Sequence, residues 1–165
     1  MSLPRFRAAI GLGANLGPAR ETLQAAIEAM GHLPWTAVEA VSPFYRSRPV
    51  DAEGPDYLNG VVLLQTALGP LELLHALQAL ETAMGRERPH RHAPRPVDLD
   101  VLWHDTVTRD TAELTLPHPR WDQRAFVLEP LSDVLKACPG WGWPLPAAQI
   151  RRNLAHEQGI EQIIF

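Results

Sequence analysis

Two aspartates separated by one residue stand in an otherwise apolar segment, PVDLDVLW, over residues 96–103. In a β-strand, Asp98 and Asp100 would project from the same face, with their Cα atoms roughly 6.6 Å apart. Aspartate is unfavourable in strands, and the half-buried position that this pattern predicts is costly for a carboxylate without a compensating cation. Two carboxylates at this spacing suit one or two magnesium ions, which take their remaining ligands from water and substrate phosphates. The alternative is an exposed sheet face that carries solvated acids.

A basic segment, GRERPHRHAPR, directly precedes these aspartates. Its four arginines are Arg86, Arg88, Arg91 and Arg95. Polyphosphate transfer needs metal on the anionic oxygens and arginines that hold the phosphate chain, so we interpret the segment as a phosphate-handling lid. A solvated salt-bridge cluster is the alternative. Metal binding by His90 and His92 is the weaker interpretation, because no further ligand set lies near them in the sequence.

Three residues that are distant in sequence could recognise a flat heterocycle. Tyr57 and Phe126 supply aromatic faces, and Asn59 supplies an amide within a strand pattern. Core packing is the alternative for the two aromatic rings. Gln78 and Glu81 lie three residues apart on the polar flank of a predicted helix, where solvent exposure is the alternative.

Hydrophobic periodicity predicts the elements that position these residues. Phe6, Ala8, Ile10 and Leu12 alternate along a first strand, which ends at a glycine-rich turn, GLGANLG, without the lysine of a P-loop. The next predicted elements are a helix over 18–31, a strand running into a loop over 36–50, a strand over 56–68 with both faces covered, a helix over 69–85, and the strand that carries the aspartates.

The resulting order β-α-β-β-α-β is typical of a ferredoxin-like α+β fold with one mainly antiparallel sheet. Both helices would cover one face of the sheet and leave the other face available for a site. In the last strand, Val97, Leu99, Val101 and Trp103 are predicted to share one face, opposite the two aspartates and Leu102. Beyond it, the sequence predicts a hairpin over 104–119 and helices near 125–134 and 147–156.

Composition limits the class of protein. The chain has 165 residues, of which 45% are hydrophobic and 21% are charged, with a formal net charge of −4. These values predict one domain over residues 1–165 and argue against bulk electrostatic binding to nucleic acid or to an anionic membrane. Cys138 is the single cysteine, and no apolar stretch has the length of a membrane span. We therefore expect a cytoplasmic monomer with neither nucleic-acid nor membrane partners.

Six segments together resemble the 6-hydroxymethyl-7,8-dihydropterin pyrophosphokinase family of folate biosynthesis. They are IGLGANLG, VSPFYRSRPV, PDYLNGVV, LQALETAMGRER, RHAPRPVDLDVL and LTLPHPRWDQRAFVLEPL. The resemblance implies a ferredoxin-like fold and ATP-dependent transfer of a diphosphate to the pterin hydroxymethyl group, with release of AMP. It also implies two magnesium ions, bound by Asp98 and Asp100, with ATP as the co-substrate.

The resemblance assigns further residues by their positions in these segments. The pterin-binding residues would be Ser47, Pro49, Val50, Tyr57, Asn59 and Phe126. The residues that line the ATP site would be Gln78, Glu81, Arg88, Val101, Thr115, His118 and Arg124. The catalytic residues would be Arg86, Arg95 and the two aspartates. The two arginines would align the phosphates and stabilise the transition state.

The chain departs from the usual family pattern in the basic segment and near the expected adenine site. The segment is one residue shorter, with Pro89 in place of a basic residue and His92 in place of an aromatic one. Glu113 and Pro119 stand where some members have arginine and tyrosine. Two other classes remain as alternatives. One is a paralogue that binds pterin or nucleotide without turnover, and the other is a nucleic-acid binder, which the acidic pair on the sheet disfavours.

Overall fold

The computed structural model describes residues 5–14, 18–47, 56–85, 97–105, 107–141, 143 and 145–163. The strands in this part of the chain are β1 (Phe6–Ala14), β2 (Thr36–Val41), β3 (Phe44–Ser47), β4 (Tyr57–Thr66), β5 (Asp98–His104), β6 (Arg109–Asp110), β7 (Thr115–Leu116) and β8 (Glu161–Ile163). The α-helices are α1 (Ala19–Gly31), α2 (Pro70–Met84), α3 (Ala125–Ala137) and α4 (Ala148–Gln158). Short 3-10 turns at Trp121–Gln123 and Pro139–Trp141 flank α3. No helix among the described residues combines the length and the apolar character needed to cross a membrane.

The main sheet has the strand order β5-β1-β4-β3-β8, with β2 also paired to β4. All of its described pairings are antiparallel. β6 and β7 form a separate hairpin, which confirms the hairpin predicted over 104–119. The prediction of an α+β chain with one mainly antiparallel sheet is therefore confirmed. Residues Glu161–Ile163 add β8 to the edge of the sheet, beside β3, which the periodicity did not predict.

The segment over residues 36–50, predicted as a strand that runs into a loop, contains two strands, β2 and β3, and this division was not predicted. Pro43 lies between the two halves, and proline has no N–H to donate to a ladder. Ser42 bridges the interruption, because its backbone N–H donates to the Val61 carbonyl at 3.0 Å and its Oγ accepts from the Val61 N–H at 2.9 Å. Both halves consequently remain paired with β4.

One face of the sheet is closed by α1 and α2. Leu23 and Met30 of α1, and Leu73 and Leu77 of α2, are fully buried against it. The sheet contributes the buried side chains Ala8, Ile10, Leu12, Val62, Leu64, Leu99 and Val101. These apolar residues recur at helical spacing in the helices and at alternate positions in the strands, so the two predicted helices and the covered face are confirmed.

The opposite face is covered in part by α3, which corrects the expectation that this face would be left uncovered. Val127, Leu131 and Val134 of α3 pack on Val61 and Leu63 of β4. A tryptophan cluster extends this packing, with Trp103 and Trp121 each against Trp143, and Trp103 also against Trp141. The part of the face that α3 and the tryptophans leave uncovered borders the ends of β1, β4 and β5.

Trp103 lies on this second face, so its predicted position beside Val101 was wrong. β1 pairs Ile10 with Val101 but Ala9 with Trp103, which leaves Leu102 as an extra residue in β5. Such a β-bulge reverses the side on which the following residues project. The alternating pattern of the sequence does not predict this bulge, because the bulge depends on the pairing with β1.

Candidate active site

A carboxylate, a glycine and an amide lie in one row across three strands. The pairing register places Asp98 of β5 beside Gly13 of β1, and Gly13 beside Asn59 of β4. Paired residues of an antiparallel ladder project from the same face, and adjacent strands are about 4.8 Å apart, so the Cα atoms of Asp98 and Asn59 are separated by roughly 10 Å. Asp100 pairs with Gly11 and therefore projects from the same face.

Asp98 and Asp100 are exposed, whereas Leu99 and Val101 between and after them are buried. The predicted alternation of the two carboxylates is confirmed, and their predicted half-burial was wrong. Both side chains border a cavity that is open to solvent, so hydration offsets part of the cost of two neighbouring negative charges. This exposure keeps the carboxylate oxygens accessible to a ligand.

Gly11 and Gly13 lie within β1, which ends at Ala14, one residue beyond the predicted strand end at Gly13. A Cβ atom at Gly11 would lie 3.3 Å from Leu102 Cδ2, and one at Gly13 would lie 3.2 Å from Asn59 Oδ1. Both distances are shorter than ordinary van der Waals contacts. Because neither glycine has a side chain, space remains on the sheet surface between the aspartates and Asn59.

A cavity of about 510 Å³ lies above this row. Its lining includes Ser47, Tyr57, Asn59, Asp98, Asp100, Leu102, His118, Arg120, Gln123, Arg124, Phe126 and Gln158. Asn59 is buried, and its Nδ2 donates to Ser47 Oγ at 2.6 Å, which fixes the orientation of the amide. The structure thus brings together four of the predicted pterin-binding residues and both aspartates.

Arg124 and Phe126 form one wall of this larger cavity at the start of α3. The Arg124 guanidinium carbon is 5.5 Å from the centroid of the Phe126 ring, a distance typical of a cation–π contact. Arg124 is also the residue that immediately precedes α3, and its carbonyl accepts from the Leu128 N–H at 2.9 Å. The helix start therefore holds a positive charge and an aromatic face next to each other.

A smaller cavity of about 280 Å³ adjoins the larger one, and both are lined by Asp100 and His118. The other lining residues of the smaller cavity are Leu74, Leu99, Val101, Thr111, Ala112, Glu113, Leu114, Thr115 and Pro119. Val101, Thr115 and His118 are among the residues predicted to line an ATP site. Glu113, which departs from the family pattern, contacts His75 of α2 through its Oε1 atom.

His118 is held at the junction of the two cavities. Its backbone N–H donates to the Leu102 carbonyl at 2.9 Å, and its Nδ1 accepts from the Arg120 N–H at 3.2 Å. Burial lowers the pKa of His118 from its ordinary value of 6.5, with Asp100 acting in the opposite direction and Arg124 and Arg120 reinforcing the decrease. At neutral pH the ring is therefore uncharged, with its proton on Nε2 available for donation.

Other predicted residues are not brought to these cavities. Gln78 is exposed and Glu81 is buried on α2, and neither lines either cavity. Predictions for Pro49, Val50, Arg86, Arg88 and Arg95 fall outside the described residues, as do those for Pro89, His90 and His92. Sequence reasoning missed Arg120, Gln123 and Gln158, since no local pattern marks a polar residue on a late helix or turn as part of a distant cavity.

The carboxylates of Asp98 and Asp100 suit a metal ion whose remaining ligands come from the substrate. Among the described residues, no group of three or more histidine, cysteine or acidic side chains could form a metal site built from protein ligands alone. Asp98 and Asp100 offer two exposed carboxylates on one strand face. Magnesium commonly binds through one or two carboxylates and keeps sites for water and phosphate oxygens, so these residues fit it.

Carboxylates, a neutral histidine and an arginine around two joined cavities are typical of an enzyme that transfers phosphate groups. The sequence model of the 7,8-dihydro-6-hydroxymethylpterin-pyrophosphokinase (HPPK) family matches residues 9–136 of this chain. The chain belongs to this family.

Relatives in bacteria carry the corresponding enzyme name. A Pseudomonas aeruginosa protein named 2-amino-4-hydroxy-6-hydroxymethyldihydropteridine pyrophosphokinase is 46% identical over 129 residues, which cover 78% of this chain and 80% of that protein. A protein of the same name from Synechocystis sp. is 41% identical over 134 residues, covering 81% of this chain and 67% of that protein.

Two solved structures with a similar fold belong to longer chains. One, described as HPPK-DHPS in complex with substrates, has a TM-score of 0.66 at 12% identity and covers 93% of this chain. Plasmodium falciparum HPPK-DHPS A437G with pteroate has a TM-score of 0.60 at 12% identity and covers 80% of this chain. This chain spans 44% and 40% of those two chains, and the likeness at such identity concerns the fold alone.

Proposed function

We propose that this chain transfers the diphosphate of ATP to the hydroxymethyl group of 6-hydroxymethyl-7,8-dihydropterin and releases AMP, a step of folate biosynthesis. The substrate hydroxyl oxygen forms a bond with the β-phosphorus of ATP, and the bond from that phosphorus to the α,β-bridging oxygen breaks. The bridging oxygen and its electron pair leave with AMP, and the hydroxyl proton passes to a base or to water. Family membership and the names of the bacterial relatives support this reaction.

The junction of the two cavities is the observation that carries the proposal. Asp100 and His118 line both cavities, so ligands in the two cavities would meet beside the aspartates. The pterin would occupy the larger cavity and the nucleoside part of ATP the smaller one. Holding both substrates at fixed positions converts an encounter between two molecules into a reaction within one complex.

The pterin would be sandwiched between Tyr57 and Phe126, with Asn59 reading its edge through amide donors and acceptors. Ser47 holds that amide, because its Oγ accepts from Asn59 Nδ2. We assign Pro49 and Val50 to the same site from the family pattern. The flat, amphipathic character of a pterin suits two aromatic faces and one fixed amide.

The ATP site would be formed around the smaller cavity, to which Val101, Thr115 and His118 contribute, with Arg124 in the adjoining larger cavity. We assign Gln78, Glu81 and Arg88 to the same site from the family pattern alone. A neutral His118 would donate from Nε2 to a phosphate oxygen, and Arg124 would supply fixed positive charge at the opposite side of the junction. Arg86 and Arg95 would align the transferred diphosphate and stabilise the charge that develops on it.

Asp98 and Asp100 would hold two magnesium ions together with the phosphates of ATP. Bound magnesium supplies positive charge that offsets the charge of the phosphate oxygens. The chain's own contribution is to keep two carboxylates on one face and within reach of both cavities. Either carboxylate would also accept the proton of the substrate hydroxyl.

The proposal includes the architecture and the setting of the enzyme. We infer a ferredoxin-like core from the order β5-β1-β4-β3 and from the two helices on one face. Residues 1–165 would form one pyrophosphokinase domain that acts as a monomer in the cytoplasm. The net charge of −4 and the acidic pair on the sheet face favour small-molecule partners over nucleic acid or membrane.

Product analysis tests the reaction. The purified protein is mixed with magnesium, ATP and 6-hydroxymethyl-7,8-dihydropterin, and the nucleotides are separated by chromatography. We expect AMP and the pterin diphosphate in equal amounts. ADP in place of AMP would mean transfer of a single phosphoryl group and would refute the proposal. Pterin binding without any nucleotide product would instead identify a paralogue that binds without turnover.

A further inference from the structure

The last residue of α4, Gln158, bridges the two backbone groups on either side of Arg124. Its Oε1 accepts from the Ala125 N–H at 2.8 Å, and its Nε2 donates to the Gln123 carbonyl at 2.9 Å. Both functional groups of the amide are therefore used by the segment that forms one wall of the larger cavity. Gln158 itself also lines that cavity.

The bond to Ala125 satisfies a donor that α3 cannot satisfy itself. Ala125 is the first residue of α3, and the first N–H groups of a helix have no partner within the helix. The preceding residue, Arg124, makes no side-chain cap, and Ala125 is 0% exposed. Without Gln158 this N–H would be buried and unpaired, which is costly enough to shift the start of the helix.

The residues that follow Gln158 in the sequence fix its position. Gly159 adopts a left-handed conformation with φ of 65°, and the following Ile160 N–H donates to the Ala155 carbonyl at 3.1 Å, which ends α4 in a defined geometry. The chain then enters β8, which pairs with β3. β3 ends at Ser47, so the same sheet edge supports the opposite part of the cavity.

We propose that Gln158 is a positioning residue for the active site, acting through Phe126 on the pterin and through Arg124 on ATP. The inference rests on the proposed function, because Phe126 and Arg124 contribute to activity only if the two cavities bind the pterin and ATP. α4 and β8 lie beyond residues 9–136, which the family model matches. A segment outside the matched region therefore completes the wall of the substrate cavity and fixes the spacing between a cation and an aromatic face.

Kinetics of Gln158→Met test the inference, because methionine has a similar length but neither donates nor accepts a strong hydrogen bond. We expect the KM for the pterin and the KM for ATP each to rise roughly tenfold, since a misplaced Phe126 or Arg124 weakens binding of the ligand that it contacts. Gln158→Glu keeps an acceptor for Ala125 and should recover part of the loss. Gln149→Met, on the exposed start of the same helix, serves as the matched control and should behave as the wild type.

Hydrogen exchange of the Ala125 amide, measured by NMR on the wild type and the three variants, provides a readout that does not depend on turnover. We expect this amide to lose protection in Gln158→Met and to keep it in Gln158→Glu and Gln149→Met.

A protected Ala125 amide in Gln158→Met, or an unchanged KM for the pterin, would overturn the inference. Increases in the two KM values that Gln158→Glu does not reduce would also overturn it, because they would indicate a general loss of structure. A wild type that forms no AMP refutes the proposed function, whereas the exchange data still decide whether Gln158 holds this segment.

Discussion

The two faces of the main sheet use alternate residues of the same strands for different purposes. On the face covered by α1 and α2, β1 and β5 contribute Ile10, Leu12, Leu99 and Val101 to a closed apolar core. On the other face, the residues next to them in sequence are Gly11, Gly13, Asp98 and Asp100. Because the floor of the cavity is the back of a tightly packed layer, Gly11, Gly13, Asp98 and Asp100 are held rigidly although none of them is an apolar core residue.

The largest contrast should come from replacing an aspartate. Asp98→Ala should lower turnover by roughly 1000-fold or more, because a ligand for the phosphate-bound cation is lost. The stability of the Asp98→Ala variant and its affinity for the pterin should differ little from those of the wild type, since the Asp98 side chain is exposed. AMP formation and calorimetric titration with pterin measure the two effects. Asp110→Ala, an exposed aspartate on β6, is the control, and near-normal turnover of Asp98→Ala would remove this residue from the mechanism.

The opposite result is expected for a residue on the closed face. Leu77→Ala removes a fully buried side chain of α2 and should lower the free energy of unfolding by about 3 kcal/mol. Urea unfolding measures this loss. Both KM values should stay near the wild-type values at temperatures where the variant is folded. A large rise in either KM with little loss of stability would show that the two faces are not separated in function.

A smaller effect should follow from filling the floor of the site. Gly13→Ala would bring a Cβ atom to 3.2 Å from Asn59 Oδ1 and should displace the amide from Ser47. We expect a roughly tenfold increase in the KM for the pterin, because the edge-reading group is misplaced. Gly31→Ala, where the added Cβ lies 3.7 Å from Val38 Cγ2, is the control. Unchanged pterin kinetics in Gly13→Ala would separate Asn59 from pterin recognition.

The smallest effect concerns the pH dependence of stability. Burial lowers the pKa of His118, so the folded state binds this proton less readily than the unfolded chain does. The stabilising contribution is fully present above pH 6.5 and is lost as the pH falls through the lowered pKa. Urea unfolding at pH 7.5 and pH 5 should therefore show a stability difference between the wild type and His118→Asn that shrinks in acid. His156→Asn on the exposed end of α4 is the control, and a constant difference for His118→Asn would contradict the half-buried, neutral imidazole.

Local patterns predicted the parts of the molecule that depend on near neighbours in sequence. The alternation through Asp98, Leu99 and Asp100 placed both carboxylates on one face correctly, and helical spacing located α1 and α2. Pairing between strands decided what the patterns missed: the bulge at Leu102 placed Trp103 on the other face, and the register of β1 and β4 placed Gly13 opposite Asn59. Gln158 shows the limit most clearly, because a glutamine on a polar helix has no local sign of its bonds to residues more than thirty positions earlier.

The tryptophan cluster gives this molecule an optical signal of its own. The ring of Trp121 lies 4.9 Å from that of Trp143 in a tilted arrangement, and Trp121 begins the short turn that ends at Gln123, immediately before Arg124. A ligand that shifts Arg124 will therefore change the surroundings of the Trp121 indole and its emission. Trp35 lies outside the cluster and is 68% exposed, so it contributes a solvent-like background that does not change on binding. Occupancy of the cavity can thus be followed by intrinsic fluorescence, without a label.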